Sequence, residues 1–317
     1  MISVVIPTKD NEDTIEWLLD SLSKQVYRDF EVIVVDSSRD RTPEIATRYP
    51  FVKLIRVPPT GLNFARNAGI HAARGEIVTF TDGDCRTPPD WLAKIADFFQ
   101  SHPEAAAVGG SVFTARELKG RLVADYYNEA IWPMMPIYRA EVKVTSKNFH
   151  RVRIPTGNNL AFRKSVLAFF LFDEGIKSGY DEVELLWRLC STNYKVYATP
   201  FIEVEHFHTK SLKKMLKRAF NYGKGHYMFY KRHKQAPLAR YGMLGALALY
   251  SYYVATTALA WFNVWQPLVL VPLVYIVIVS MYLVKGRKDR SFIYPVLDFI
   301  FYTVMAGGII YGWVKRG

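Results

Sequence analysis

The sequence predicts an α/β domain with a mostly parallel sheet, followed by a basic interfacial segment and an α-helical membrane region. Three observations carry this. Short apolar runs alternate with stretches of helical spacing over the first ~100 residues, as repeated βαβ units require. Residues 210–240 hold ten Lys and Arg and no acid. Three apolar stretches then crowd the C-terminus, at 243–262, 265–284 and 292–314. Each is near the ~20 residues that cross a bilayer's hydrocarbon core. The expected organisation is therefore 1–205, 206–241 and 242–317.

Taken in order, Ile2–Pro7 reads as a buried strand, and no signal peptide precedes it, so the first domain is expected in the cytosol. Asp13–Gln25 has helical spacing, with Ile15, Leu18, Leu19 and Leu22 on one stripe. Phe30–Val35 is a second strand, ending at Asp36. Thr42–Arg48 is a short helix, Val52–Val57 a third strand, Leu62–Arg74 a small-residue helix and Ile77–Thr81 a fourth strand. Ligands of such sheets gather at the carboxyl ends of the strands. Pro7-Thr8, Asp36 and Asp82/Asp84 all fall there.

Asp82-Gly83-Asp84 is the most pointed of these. Two carboxylates one residue apart at the end of a buried strand suit Mg²⁺ or Mn²⁺ shared with a phosphate. Gly83 lets the backbone turn where a ligand must come close. The same tripeptide is also a common turn. Farther on, Trp132–Tyr138 is aromatic and Met-rich, suited to core packing or to a flexible wall for an apolar acceptor.

Charge and cysteine content narrow the class. The net charge is +12, but residues 1–209 are near neutral, with 25 Lys and Arg against 27 Asp and Glu. A nucleic-acid binder would carry its positive face on the folded domain. Here the excess sits just before the first apolar stretch, where basic clusters face the cytoplasm and anionic lipid. Two cysteines, Cys85 and Cys190, are too few for a disulfide framework and fit a reducing compartment. Residues 211–223 form an amphipathic helix, with Leu212, Met215, Leu216, Ala219 and Phe220 on one stripe and Lys213, Lys214, Lys217 and Arg218 off it. The uncharged turn Asn263-Val264 and the positive link at 285–290 place both the basic collar and that link inside. Gly307-Gly308 and Gly312 could serve a homodimer through the last span, or be ordinary small residues of it.

The segments SVVIPTKDNEDTIEWLLDSL, VIVVDSSRD and GLNFARNAGIHAARGEIVTFTDGDC, in that order, resemble a family 2 glycosyltransferase of the GT-A type. TGNNLAFRK at Thr156–Lys164 is similar to the family's acceptor-side strand, and FDEGIKSGYDEVELLWRL at Phe172–Leu189 to its acidic helix motif. The resemblance covers roughly residues 1–205. The layout resembles membrane-anchored members that use polyprenyl- or dolichyl-phosphate-type lipids.

The resemblance implies roles position by position. Pro7, Thr8 and Asp36 would hold the base and ribose of a nucleotide sugar, although Asp36 could also cap the helix at Thr42. Arg66 and Asn67 would lie beside the diphosphate or sugar. Asp82 and Asp84 would match the family's D-x-D, one contacting the nucleotide sugar and the other the metal. Gly157, Asn158, Asn159 and Arg218 would lie on the acceptor side. Glu182 would be the base and Asp181 its reserve; the family more often has Asp at the second position. A histidine after the sheet, His206 or His208, would complete the metal site. At most one of these two is expected to face it.

The expected activity is thus an inverting, Mn²⁺- or Mg²⁺-dependent transfer of a hexose, mannose from GDP-mannose first and glucose from UDP-glucose second. The acceptor would be a lipid phosphate or lipid-linked glycan at the cytosolic membrane face. A membrane-anchored nucleotidyltransferase could share the metal rim but has no use for the late acidic motif. Intact Asp82, Asp84 and Glu182 argue against a non-catalytic scaffold, and the lack of a Q-x-x-R-W motif argues against a processive polymer synthase.

Overall fold

A computed structural model describes residues 1–262 and 270–315. The chain folds as two compact units. The first comprises Met1–Ala124, Met135–Lys177 and Asp181–His208; the second comprises Asp125–Met134, Ser178–Tyr180 and Thr209–Gly317.

In the first unit the alternating pattern folds as its spacing dictates. β1 (Ile2–Thr8), α1 (Ile15–Ser23), β2 (Phe30–Asp36), α2 (Thr42–Thr47), β3 (Val52–Arg56), α3 (Leu62–Ala72) and β4 (Ile77–Phe80) follow one another. The predicted stripe of α1 is buried at Ile15, Leu18, Leu19 and Leu22. β1, β2 and β4 are near-continuous apolar runs because the sheet's centre is covered on both faces. Then come β5 (Cys85–Arg86), α4 (Trp91–Ser101), β6 (Ala105–Thr114), α5 (Leu122–Glu129), β7 (Val142–Val144), β8 (Leu160–Arg163), α6 (Lys164–Leu167), α7 (Asp181–Cys190) and β9 (Lys195–His206).

The sheet has nine strands in the order β3-β2-β1-β4-β8-β6-β9-β5, with β7 also on β9. The expectation of a mostly parallel sheet needs correction. β1 pairs in parallel with β2 and β4, β2 with β3, and β6 with β9. β8, however, enters antiparallel between β4 and β6, and β5 and β7 run antiparallel to β9. The physical reason is the connection: no helical crossover of βαβ type leads from the 142–159 region into β8, so nothing obliges parallel pairing.

The second unit contains α8 (Leu212–Arg232), α9 (Pro237–Trp261), α10 (Leu270–Val284) and α11 (Ile293–Val314). Three spans were expected; among the described residues two helices, α9 and α11, are long and apolar enough to cross a membrane, and α10 is a shorter apolar helix of 15 described residues. The expected turn Asn263-Val264 and the start of the second stretch, 265–269, lie outside the described residues. α9 and α10 leave large side chains such as Leu244, Val254, Leu273 and Ile276 more than half exposed, an apolar surface that calls for a non-aqueous partner.

α8 runs well past the predicted end at 223 and packs along α11. Met215 and Ala219 of its predicted stripe are fully buried, whereas Leu212 is exposed. The backbones approach so closely that a Cβ at Gly308 would meet the carbonyl of Phe220, and one at Gly312 the ring of Tyr227. Gly307 lies against the Tyr250 hydroxyl. The glycines considered for a homodimer are therefore occupied by contacts inside the chain. Asp298, the one acid in α11, accepts hydrogen bonds from the hydroxyls of Tyr126 (2.6 Å) and Tyr282 (2.7 Å). Tyr294 donates to Glu129 at 2.8 Å, so the 125–134 segment is pinned to the helices through tyrosines.

His226 of α8 is buried, with Nε2 donating to the Ala239 carbonyl at 3.1 Å. Burial lowers its imidazole to about 4, the Ala239 contact pulling weakly the other way. The folded pKa lies below the unfolded value of 6.5, so the unfolded chain takes the proton first. The neutral ring's stabilisation is complete above pH ~6.5 and is lost as pH falls toward ~4, on the order of 3 kcal/mol in total. Melting temperatures of the wild type should drop more steeply between pH 7.5 and 5 than those of His226→Gln; parallel slopes would refute this.

Candidate active site

The carboxyl ends of β1, β2 and β4 converge on one rim. Register places Thr8 opposite Asp36, and Phe80 opposite both Val5 and Leu160. Because β8 runs antiparallel, the loop 156–159 that precedes it arrives at the same rim. β5 pairs with the end of β9, setting Cys85 opposite His206. That pairing brings His206 Nε2 to 3.3 Å from Asp84 Oδ1.

The ligand atoms of Asp84, Cys85 and His206 lie within 4.8 Å of one another. Burial and the neighbouring carboxylates of Asp84 and Asp82 push the Cys85 thiol up, so it stays protonated. What remains is a carboxylate oxygen and an imidazole nitrogen at one spot, a pair that fits a divalent cation of the Mn²⁺ or Mg²⁺ class. Asp82 and His208, also expected as ligands, fall outside this grouping. The expectation that at most one histidine faces the site has no support in strand geometry, which puts residues at i and i+2 on one face. β9 stops at His206, the chain turns with the amide of His208 on the carbonyl of His206 (3.1 Å), and the two rings stack at 4.4 Å. Gly83 is tight for a protein reason: a Cβ there would stand 3.0 Å from Asn11 and 3.2 Å from Thr8.

Asp36 is fully buried. Its Oδ1 accepts from the hydroxyls of Thr8 (2.7 Å) and Ser38 (2.5 Å), and its Oδ2 from the Ser38 amide (3.2 Å) and Arg56. A nucleotide would meet this carboxylate only by exchanging a partner; the half-exposed Arg56 is the cluster's outer member. The N-cap position of α2 is Arg41, without a side-chain cap bond, and the carboxylate at the helix start is Asp40, which accepts from the Thr42 amide at 3.0 Å, and not Asp36. Pro7 is buried in β1 directly before Thr8.

One face of α3 carries three polar residues, Asn63, Arg66 and Asn67, at i, i+3 and i+4, all buried. Each binds the segment leading into α7. Asn63 donates to the carbonyls of Asp173 (2.8 Å) and Ile176 (2.9 Å). Asn67 donates to the Phe172 carbonyl (3.0 Å) and Glu174 (2.9 Å) and accepts from the Phe172 amide (3.0 Å). Its amide is thus hydrogen-bonded within the protein.

Arg66 also finds its partner within the protein. Its guanidinium is paired with the Asp181 carboxylate, with side chains only 3% and 7% exposed, and stands 5.0 Å over the Phe172 ring. Gly157 makes room for it: a Cβ there would lie 2.2 Å from Arg66 Nη2. Asn159 is also structural, donating to the carbonyls of Ser111 (2.9 Å) and Ile202 (3.1 Å) and accepting from Trp91 Nε1 (3.0 Å). Asn158 is buried and accepts from the Thr156 hydroxyl at 2.7 Å. Arg218, on α8, lies 5.7 Å over the ring of Tyr127.

Glu182 follows Asp181 but is not a member of the Arg66 pair. Burial raises its proton affinity; the Arg66 charge opposes this and Asp82 adds to it. Glu184, two residues on, is tied to Arg188 at 2.8 Å. Sequence reasoning missed Ser38, Arg56, Asn63 and Cys85 as site members. The i, i+3, i+4 polar stripe of α3 was the one available signal.

Removing one partner of the Arg66–Asp181 pair strands a buried charge. Arg66→Met should cost about 3–5 kcal/mol, and Arg66→Lys less, since it keeps the charge but loses the planar fork. Adding Asp181→Asn to Arg66→Met should recover part of the loss; additive effects in thermal melts would contradict the pairing.

Residues 3–168, just over half of the 317-residue chain, match the family described as Glycosyl transferase family 2. The chain is 24% identical over 172 residues to the glucosyl-dolichyl phosphate glucuronosyltransferase of Haloferax volcanii, covering 52% of this chain and 53% of that one. It is 24% identical over 186 residues to the dolichol-phosphate mannosyltransferase of Pyrococcus furiosus, covering 57% and 48%. The matched stretches thus span about half the length of these curated relatives. Among solved structures, the mannosyltransferase PcManGT of Pyrobaculum calidifontis, in complex with GDP-Man and Mn²⁺, superposes with a TM-score of 0.68 at 20% identity, covering 99% of this chain and 86% of that one. The likeness is one of fold, a GT-A-like mixed sheet with helices. The chain belongs to glycosyl transferase family 2.

Proposed function

We propose that this glycosyltransferase moves a hexose from a nucleotide sugar to a lipid-linked acceptor at the cytosolic membrane face. Mannose from GDP-mannose is the first donor in this reading and glucose from UDP-glucose the second. One observation carries it: the acid pair is divided, Asp181 being withdrawn into a buried ion pair with Arg66 while Glu182 is not.

Thr8, with Asp36 and Arg56 behind and beside it, is placed to receive the base and ribose. Asp82 meets the nucleotide sugar, and Asp84 with His206 would hold the cation. When bound, the cation supplies Lewis-acid neutralisation of the departing diphosphate. The acceptor oxygen attacks the anomeric carbon as the carbon–oxygen bond to the diphosphate breaks, inverting that centre. The proton of the acceptor passes to the Glu182 carboxylate, whose raised proton affinity suits a general base. A sugar hydroxyl has such a proton to give and a phosphate acceptor does not, so the reading favours the hydroxyl of a lipid-linked glycan. Asn158 and Arg218 are the acceptor-side residues.

Support for a lipid acceptor comes from the apolar helices α9 and α11, the basic segment 210–240 and the dolichyl-phosphate substrates in the relatives' names. The basic segment sets the cytosolic side by the excess of Lys and Arg. A homodimer is not part of the reading, because the glycines of α11 are already in contact with α8 and α9.

Detergent-solubilised protein given radiolabelled GDP-mannose or UDP-glucose, Mn²⁺ and a polyprenyl-linked sugar should move label into the organic phase. Asp84→Ala should lower that transfer on the order of 10²-fold or more. Chelation should abolish it and added Mn²⁺ restore it. Absence of donor turnover with either nucleotide would overturn the reading.

A further inference from the structure

We propose that residues 130–134 form a re-entrant loop that enters the lipid hydrocarbon beside α11, held there by tyrosine hydroxyls and presenting Trp132 to acyl chains. This rests on the reading that α11 crosses the membrane. The loop, α10 and α11 all belong to the second compact unit.

The helix gives the depth. α11 has 22 residues, close to the ~20 that cross a hydrocarbon core. Tyr302 stands nine residues after Ile293, so its backbone lies about 13 Å from that end at a rise of ~1.5 Å per residue. Its ring leans back toward the N-terminus of the helix and sits a little shallower. The Tyr302 hydroxyl donates to the Trp132 carbonyl at 3.1 Å, and the two rings meet edge-on at 5.9 Å. The loop therefore lies well inside the ends of α11.

Irregular backbone persists at membrane depth only where protein groups satisfy it, because no water is there to do so. Residues 130–134 are neither helix nor strand. Side chains of the 282–302 region supply the partners. The Lys285 ammonium donates to the carbonyls of Glu129 (3.3 Å) and Ala130 (2.6 Å). The Ile131 amide donates to the Tyr282 hydroxyl at 3.0 Å. Pro133 has no amide to satisfy. Tyr282 has one hydroxyl proton and gives it to Asp298, which leaves its oxygen to accept from Ile131. An acid within an apolar span is costly and marks a function. Here Asp298 sets the direction of the hydroxyl that holds the loop. The outer side is apolar: the Trp132 side chain is 53% exposed, as is Phe299, at 52%, one turn before Tyr302. No charge occurs from Ala130 to Met135, so this surface suits acyl chains and not water.

The test places a nitroxide at Trp132→Cys in the full chain, reconstituted in phosphatidylcholine vesicles. Cys85 and Cys190 are buried, and the chain without an added cysteine gives the labelling background. Phe299→Cys marks hydrocarbon, and the exposed Thr47→Cys of the first unit marks water. Collisions with oxygen, which concentrates in hydrocarbon, are compared with collisions with a water-soluble nickel complex. The oxygen-to-nickel ratio at 132 should match that at 299 and exceed that at 47 severalfold. Tyr302→Phe keeps the ring but takes the hydroxyl from the Trp132 carbonyl, and should raise nickel access at 132 severalfold. Tyr275→Phe, whose hydroxyl serves the Phe292 carbonyl at 2.9 Å, should leave it unchanged. A ratio at 132 equal to that at 47, beside a high ratio at 299, would overturn the loop and leave the span. Low ratios at both 132 and 299 would remove the span and the loop with it. Nickel access at 132 that ignores Tyr302→Phe, or answers Tyr275→Phe equally, would also overturn the proposal.

Discussion

Burying a guanidinium and a carboxylate together is expensive, and the Arg66–Asp181 pair is the contact around which this site is arranged. Each ion loses its hydration, so each is tolerated only while the other is present. The pair joins α3 to the first residue of α7. Gly157 gives up a side chain so that the guanidinium fits, and the Phe172 ring covers it. Asn63 and Asn67 extend the same face of α3 onto the backbone of 172–176. An α3 side chain array thus fixes where the acidic helix starts, and the outcome is asymmetric: Asp181 is neutralised by Arg66, and Glu182 stands outside that pair.

The first four strands and three helices were legible because each is specified locally. An apolar run of four to seven residues between helical stripes has one reading, and βαβ connections force the parallel pairings β3-β2-β1-β4. Beyond Thr81 that logic ends. β8 enters between β4 and β6, and two residues at Cys85–Arg86 pair with the end of β9 more than a hundred positions later. No periodicity encodes such a register. The acidic rim was therefore readable from Asp82 and Asp84, and a histidine beside it from the family resemblance, whereas the place of Cys85 next to Asp84 and His206 was not.

The amides carry a structural task that residue type does not announce. Asn67 and Asn159 look like ligand binders because they are polar and stand in motifs. Both are buried and bond to backbone groups that would otherwise lack partners in the interior. In the second unit the apolar stretches of α9 and α11 were plain from composition, but the use of Gly308 and Gly312 was not. Small residues on an apolar helix permit close approach without saying to what, and here the approach is to α8 of the same chain.

The division of the acid pair is tested most directly by comparing Glu182→Gln with Asp181→Asn in single-turnover transfer at saturating nucleotide sugar, with melting temperatures of both. The account predicts that Glu182→Gln keeps its stability and donor affinity but loses on the order of 10²–10⁴-fold in rate, while Asp181→Asn loses stability first. A stable Asp181→Asn enzyme without turnover, beside an active Glu182→Gln enzyme, would contradict it.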